Sequence, residues 1–181
     1  VKNFQAEITQ SIYSNIANET EETKGIIYYQ FPDLIKIEYS IPHKEIVFLD
    51  KETCYLYIEE TNQVLKKTVS AEEKSLLKEQ LFSPNFDKIK KSYKISLKNK
   101  KKKKNFELEL IALKSTDSVE TIFPKIKMSI DKNSFMLTKL IIYDSFDNKT
   151  SLTLNNLQTN IEINKDVFEW KIPEGASVIE Q

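Results

Sequence analysis

Apolar and polar residues alternate along most of this chain with a period of two. Between Leu34 and Ile41, the side chains of Ile35, Ile37, Tyr39 and Ile41 fall on one side and those of Lys36, Glu38 and Ser40 on the other. Successive residues of a strand point to opposite faces, so this pattern describes a strand that is apolar on one face and wet on the other. Similar runs at Gly25 to Phe31, Glu45 to Leu49, Thr53 to Ile58 and Gln63 to Lys67 are separated by Pro32-Asp33, Pro42-His43-Lys44, Asp50-Lys51-Glu52 and Glu60-Thr61-Asn62. Joints this short fit hairpins, and together the runs predict an antiparallel meander.

A helix then interrupts the strands. Ser70-Ala71-Glu72-Glu73 forms a capping box at its start, Leu76, Leu77 and Leu81 give it an apolar stripe, and Ser83-Pro84-Asn85 ends it before a short helical turn around Phe86 to Ile89. Strands resume at Ser92 to Lys98, Asn105 to Leu113, Glu120 to Ile130, Met136 to Asp144 and Thr150 to Leu157. At the beginning, Phe4, Ile8, Ile12 and Ile16 fit one face of a helix and equally one face of a strand, and periodicity alone leaves both open. Near the end, Phe168, Trp170 and Ile172 against Glu169 and Lys171 predict a closing strand from Val167 to Ile172 that Pro173 stops, followed by a short apolar tail at Val178 and Ile179.

About eleven strands, one main helix and no βαβ rhythm imply a mainly β fold, an antiparallel sheet curled around a helix. One helix of about twelve residues is a small plug for so much one-sided sheet. Either the interior closes on itself or the sheet keeps a cavity for an apolar ligand.

Composition adds limits. The 181 residues include only two glycines and no linker-like stretch, so residues 1–181 read most simply as one domain. Basic and acidic residues balance at 27 each, which gives no global pull toward nucleic acid, and every basic residue is Lys, so the bidentate fork of Arg is missing. Apolar runs such as Leu140 to Tyr143 are far too short for a membrane-spanning helix. No signal peptide is visible, but the chain starts at Val1 without Met, consistent with a processed N-terminus. Cys54, the one cysteine, allows no internal disulfide and reads as a small core residue.

Enzymatic chemistry finds little support. His43, the one histidine, sits in a predicted turn without an evident nucleophile, and no metal-ligand cluster or Gly-rich phosphate loop is present, so no catalytic residue, metal or cofactor is expected. The acid pairs Glu21-Glu22, Glu59-Glu60 and Glu72-Glu73 are explained by solvation and by the helix dipole. Ten lysines and no acid lie between Lys88 and Lys104, ending in Lys100, Lys101, Lys102, Lys103 and Lys104 at a predicted hairpin tip. Such a run is either a solvated loop that resists aggregation or a docking site for an anionic membrane or partner. Only Tyr93 interrupts it, too few aromatic groups to stack the bases of a nucleic acid.

Three stretches together resemble the LolA family of periplasmic lipoprotein carriers. Phe4-Gln-Ala-Glu-Ile-Thr-Gln10 is similar to the family's F-x-A-x-F-x-Q opening. From Gly25 through Val64, the chain follows the family's G-x-[LI]…RPxxFRW…P…IV…[LW]xxY…QV pattern, through Gly25-Ile26-Ile27, Pro32, Pro42, Ile46-Val47, Tyr55-Leu56-Tyr57 and Gln63-Val64. The third stretch runs from Ile126 to Ile179, with Leu140 to Asp144, the Asn156 and Asn160 pair, and Phe168, Pro173, Gly175, Val178 and Ile179 matching the closing F-x-x-x-x-P-x-G-x-x-V-I. The family's Arg before Pro, which helps to hold its lid, falls on Phe31, and its following aromatic positions fall on Ile35 and Ile37.

This resemblance implies an incomplete antiparallel β-barrel of about eleven strands closed by α-helices over an apolar cavity, with Phe4 to Ile12 as the first strand and the family's N-terminal helix falling before Val1. It implies a periplasmic chaperone, monomeric and not an enzyme, that holds the acyl chains of lipoproteins and carries them from inner to outer membrane. The implied donor is an inner-membrane ABC-type lipoprotein-releasing transporter, and the acceptor, if present, lies at the outer membrane. Cavity lining is expected from Ile35, Ile37, Tyr39, Tyr55, Tyr57, Leu108, Leu110, Ile126, Met128, Leu140, Ile142, Leu152, Leu154, Phe168 and Trp170, with Leu76, Leu77 and Leu81 as the lid. Apolar side chains on a sheet face are ordinarily core, so each residue has that simpler role beside it. The alternatives are a regulatory or sensor module of the same fold that binds lipid or an anti-sigma partner, and an outer-membrane receptor, which would need a lipidated N-terminal Cys that Cys54 cannot supply.

Overall fold

The computed structural model describes residues 1–50, 52–70, 86–98, 104–113 and 123–180. Twelve strands form one sheet: β1 (Asn3–Ser14), β2 (Glu19–Gln30), β3 (Leu34–Ile41), β4 (Glu45–Asp50), β5 (Thr53–Ile58), β6 (Gln63–Thr68), β7 (Tyr93–Leu97), β8 (Asn105–Ala112), β9 (Lys125–Asp131), β10 (Leu137–Tyr143), β11 (Lys149–Thr159) and β12 (Ser177–Glu180). The order is β12-β6-β5-β4-β3-β2-β1-β11-β10-β9-β8-β7, which is open rather than closed on itself. Strands β2 to β6 form the antiparallel meander that the short joints predicted, β7 to β11 form a second one, and β12 pairs parallel with β6. The mainly β, open-sheet expectation therefore holds. The ambiguous beginning is a strand, with Phe4, Ala6 and Ile8 buried on one side of β1.

Two compact units divide the chain: Val1–Thr9, Glu22–Lys74 and Leu154–Gln181 form the first, and Gln10–Glu21 with Ser75–Thr153 the second. In the first, the register brings Ile27, Ile37, Val47, Leu56, Leu65 and Ile179 into one row across six strands. Tyr29, Ile35, Leu49 and Cys54 form the next row on that same face. Phe4 closes on it, its ring centroid 5.3 Å from that of Tyr29. Asn156 and Asn160 hold φ of 50° and 53°, a left-handed conformation that Asn tolerates better than most residues. From there Asn156 donates from Nδ2 to Glu7 at 2.8 Å, and Asn160 accepts from the Lys2 N–H at 2.8 Å.

In the second unit, Leu110, Met128, Leu137 and Leu140 form the buried centre. One helix is described, α1 (Phe86–Ser92), and its Ile89 packs against that centre. The helical turn expected around Phe86 to Ile89 is thus present and extends to Ser92, whereas the Ser70 helix lies outside the described residues.

Two local expectations are corrected. Val167 to Ile172 is no strand: Lys165–Phe168 is a 3-10 turn capped by Asn164, whose side chain accepts from the Asp166 N–H at 3.1 Å, and Glu169 to Ile172 make no ladder. The wet face of β3 is also not wet throughout. Lys36 is only 8% exposed, because its register neighbours are Tyr28 and Phe48, and it reaches Glu38 on the same face at 2.8 Å.

Candidate functional site

The two faces of the second unit differ sharply in chemistry. On one, register stacks Leu97, Leu108, Met128, Leu140 and Leu152 across five strands, with Ile95, Leu110, Ile126 and Ile142 in the adjacent row. The first row is apolar on all five strands, whereas the second is apolar on four and ends at Thr150 on β11. Hairpin pairing fixes this register, and strict alternation within each strand keeps the apolar set together. Leu110, Met128 and Leu140 are buried, while Leu108, Ile126, Ile142 and Leu152 are half-buried and Leu97 is exposed. Seven of the expected lining residues thus share one surface: Leu108, Leu110, Ile126, Met128, Leu140, Ile142 and Leu152.

The opposite face carries Ser96, Glu109, Lys127 and Ile141 in one row and Glu107, Ser129 and Lys139 in the next. Lys98 reaches Glu109 at 2.7 Å and Lys125 reaches it at 3.9 Å, while Ser129 donates to Glu107 at 2.6 Å. The Lys98 hydrogen bond holds the Glu109 carboxyl below the usual range, with the charges of Lys98, Lys125 and Lys127 adding to it. A groove of about 580 Å³ on this side is lined chiefly by Lys98, Glu107, Glu109, Lys127, Ser129 and Lys139. It is polar and charged, so an acyl chain would find its apolar surface on the other side of these strands.

In the first unit the expected lining residues divide between faces. Ile35, Ile37 and Tyr39 lie with Ile27, Val47, Leu49 and Leu56. Tyr55 and Tyr57 lie on the reverse face with Phe48 and Ile46. Trp170 packs on that reverse face, 5.8 Å from Phe48 and 5.3 Å from Tyr55 between ring centroids. Phe168 is half-buried at the end of the 3-10 turn, and Leu154 is buried on β11. Burial raises the Tyr39 phenol above its ordinary pKa, with Glu45 beside it adding to the shift, and the Tyr57 hydroxyl donates to Asn62 at 3.2 Å.

Sequence reading missed Ile27, Val47, Leu56 and Leu65 on the first unit's apolar face, and Ile95 and Ile130 beside the second unit's centre. The signal that would have found them is the hairpin register, because residues opposite one another across a short joint face the same way. Leu76, Leu77, Leu81, Lys100, Lys101, Lys102 and Lys103 lie outside the described residues, and Lys104 is exposed. Phe31, at the family's Arg position, is 65% exposed and donates its backbone N–H to the Lys2 carbonyl at 2.8 Å. Cys54 is half-buried, and burial raises its thiol pKa against the opposing charge of Lys67, which disfavours the reactive thiolate. His43 is exposed with Nδ1 3.3 Å from Glu60. Among the described residues no group of three or more His, Cys, Asp and Glu could hold a metal ion.

An open, mainly β sheet that carries in its second unit one apolar face and one charged face defines the class of this protein. The family model described as outer membrane lipoprotein carrier protein LolA matches residues 1–171, and the chain belongs to that family. The outer-membrane lipoprotein carrier protein of Wigglesworthia glossinidia brevipalpis is 29% identical over 184 residues, covering 100% of this chain and 82% of the relative. An uncharacterized conserved protein from Thermus thermophilus shares the fold with a TM-score of 0.63 at 12% identity, covering 99% of this chain and 91% of its own. MucB in the Pseudomonas aeruginosa MucA/MucB complex has a TM-score of 0.55 at 8% identity, with 92% of this chain and 56% of the neighbour covered.

Proposed function

We propose that this protein shelters the acyl chains of lipoproteins and carries them through the periplasm between the two membranes, catalysing nothing itself. The observation that carries the reading is the apolar face of the second unit, where Leu108, Met128, Leu140 and Leu152 make one row and Leu110, Ile126 and Ile142 the next, in a chain that belongs to the carrier family. Each buried CH₂ contributes about 0.8 kcal/mol, so one long acyl chain needs roughly ten kcal/mol or more of shelter. Half-buried Leu108, Ile126, Ile142 and Leu152 are the surface that can still take on contacts. Ile35 and Ile37, with Ile27 and Val47, offer a similar apolar face in the first unit. The cover expected from Leu76, Leu77 and Leu81 lies outside the described residues. The donor is an ATP-driven inner-membrane transporter, and the acceptor lies at the outer membrane.

Binding of a triacylated lipopeptide by the purified chain tests this reading. Wild type should bind it far better than the same peptide without acyl chains, and Ile126→Ser with Leu152→Ser together should weaken binding about tenfold, from the apolar contact removed. Equal binding of the acylated and unacylated peptides would overturn it. The likeness to MucB in complex with MucA supports a second reading, a regulatory module that binds lipid or an anti-sigma partner. Under that reading the protein would bring down a regulatory partner instead of lipoproteins.

A further inference from the structure

Two hairpin tips at one end of the second unit are fastened together, and each presents a large apolar side chain to solvent. Asp144 organises the β10–β11 turn: its carboxylate accepts from the Phe146 N–H at 2.8 Å, the Asn148 N–H at 2.9 Å and the Asn148 side-chain amide at 2.8 Å. In the β1–β2 turn, the Ala17 N–H donates to the Ser14 hydroxyl at 3.3 Å and the Tyr13 hydroxyl donates to Asn18 Oδ1 at 3.2 Å. Asn15 joins the two turns. Its backbone N–H donates to Asn148 Oδ1 at 2.8 Å, and its side-chain amide donates to the Phe146 carbonyl, 131 positions away in sequence, at 3.2 Å. Asn18 and Asp147 supply left-handed backbone, with φ of 55° and 61°, which Asn and Asp tolerate better than most residues. Beside these polar ties, Ile16 is 85% exposed and Phe146 69%. Single exposed apolar residues are ordinary, but two placed on adjoining tips by an Asn bridge form an anchor of defined geometry.

We propose that this double tip is a docking point for a protein partner whose contact surface takes Ile16 and Phe146 into an apolar pocket and surrounds them with Lys or Arg. Charge selects that chemistry. Gln10 to Glu21 holds two acids and no base, and Glu19, Glu21 and Asp147 are all exposed. Asp144 adds a fourth carboxylate, which the Asn148 side chain foremost, with the Phe146 and Asn148 N–H groups, holds below its usual range. Lys149 is the base within the two turns. Lys125 and Lys127, farther along the sheet, lie 4.9 and 5.8 Å over the Tyr143 ring, and Lys125 is also 3.9 Å from Glu109. An anionic bilayer would therefore meet like charge at this tip. The acyl chains of a cargo have their apolar rows elsewhere in the unit, from Leu108 to Leu152. A basic protein surface fits: opposite charge at the rim steers the encounter, and the two apolar side chains hold the complex. Docking does not require cargo, so its failure would leave the carrier reading intact, and failed cargo capture would leave docking intact.

Photocrosslinking of the full chain in isolated native envelopes, with the photoreactive p-benzoylphenylalanine in place of Phe146, tests the proposal. One discrete protein adduct is expected, mapped by mass spectrometry to a segment that combines apolar residues with Lys or Arg. Its yield should fall about tenfold with Ile16→Ser. It should fall about fivefold with Glu19→Gln, Glu21→Gln and Asp147→Asn together, and also as salt rises. Asn at position 147 keeps the left-handed backbone, so the triple variant leaves the turn in place. Ile16→Ser should bind the triacylated lipopeptide as wild type does, which separates a lost dock from a lost fold or cargo site. Labelling of lipid, of a cargo's acyl chains or of a second copy of this chain would each overturn the proposal. So would an adduct on an acidic segment, an adduct that survives the charge neutralisation, no protein adduct, or loss of lipopeptide binding in Ile16→Ser.

Discussion

Gly25 shows how one absent side chain lets two strands meet. A Cβ at this position would collide with the Glu38 carbonyl and the Tyr39 Cα of the neighbouring strand, beside a register shift between Lys24 and Gly25. Gly25→Ala should therefore destabilise the protein by about 1–3 kcal/mol, read as a lower urea midpoint. Lys36 and Glu38 make a different case. Alternation alone assigned both to solvent, but the aromatic neighbours of Lys36 lie in other strands, so its burial was written in register rather than in local pattern. Glu38→Ala leaves the Lys36 ammonium buried without its carboxylate and should cost about 1–3 kcal/mol, whereas Lys36→Met removes the charge and should cost less. The opposite ranking in equilibrium unfolding would contradict this account. Trp170 was legible as an apolar side chain, but not as one whose ring packs tilted against Phe48 and Tyr55, because its partners are set by where the C-terminal segment crosses the sheet.

At the scale of elements, alternation and hairpin joints located most of β3 to β11, since each of those strands pairs with a neighbour close in sequence, but Gly25 to Phe31 missed the first six residues of β2, where Glu19 to Lys24 is polar throughout and shows no alternation. The closing segment misled because an extended stretch laid on a sheet alternates as a paired strand does. The actual last strand, β12, comes from the short apolar tail, and its pairing with β6 joins Ser177 to Gln63 across most of the chain, a contact no local pattern encodes. All four residues of β12 are exposed, and Lys66 reaches Glu180 at 2.9 Å. That hydrogen bond lowers the Glu180 pKa and raises that of Lys66. A carboxyl depressed in the folded state contributes stability above its ordinary pKa of about 4.3 and loses it as pH falls through the lower folded value. The raised Lys66 loses its share only as pH rises through its elevated value. Hydrogen-exchange protection of β12 should therefore fall selectively on acidification below the usual glutamate range, while the β5–β6 ladder keeps its protection. Glu180→Gln should remove that acid step, and an unchanged step would mean another group holds the edge.

At the scale of the whole molecule, belonging to a lipoprotein carrier family and having sheet strands dry on one side point to the same role. The mainly β open sheet was legible because period-two alternation recurs in nearly every segment. The candidate site was legible only in part. Second-unit residues from Leu108 to Leu152 fell together because their strands are consecutive hairpins, whereas Tyr55 and Tyr57 were grouped with Ile35 and Ile37 although an odd register offset puts them on opposite faces. Pattern gives the sides of each strand; only pairing says which sides coincide. The most direct test of the central claim is mass spectrometry of the protein isolated from its native envelope under mild conditions. Intact lipoproteins, with their acyl chains attached, should come with it and be lost from the variant carrying both Ile126→Ser and Leu152→Ser. Recovery of free lipid alone, or of a regulatory protein without acylated cargo, would contradict the account.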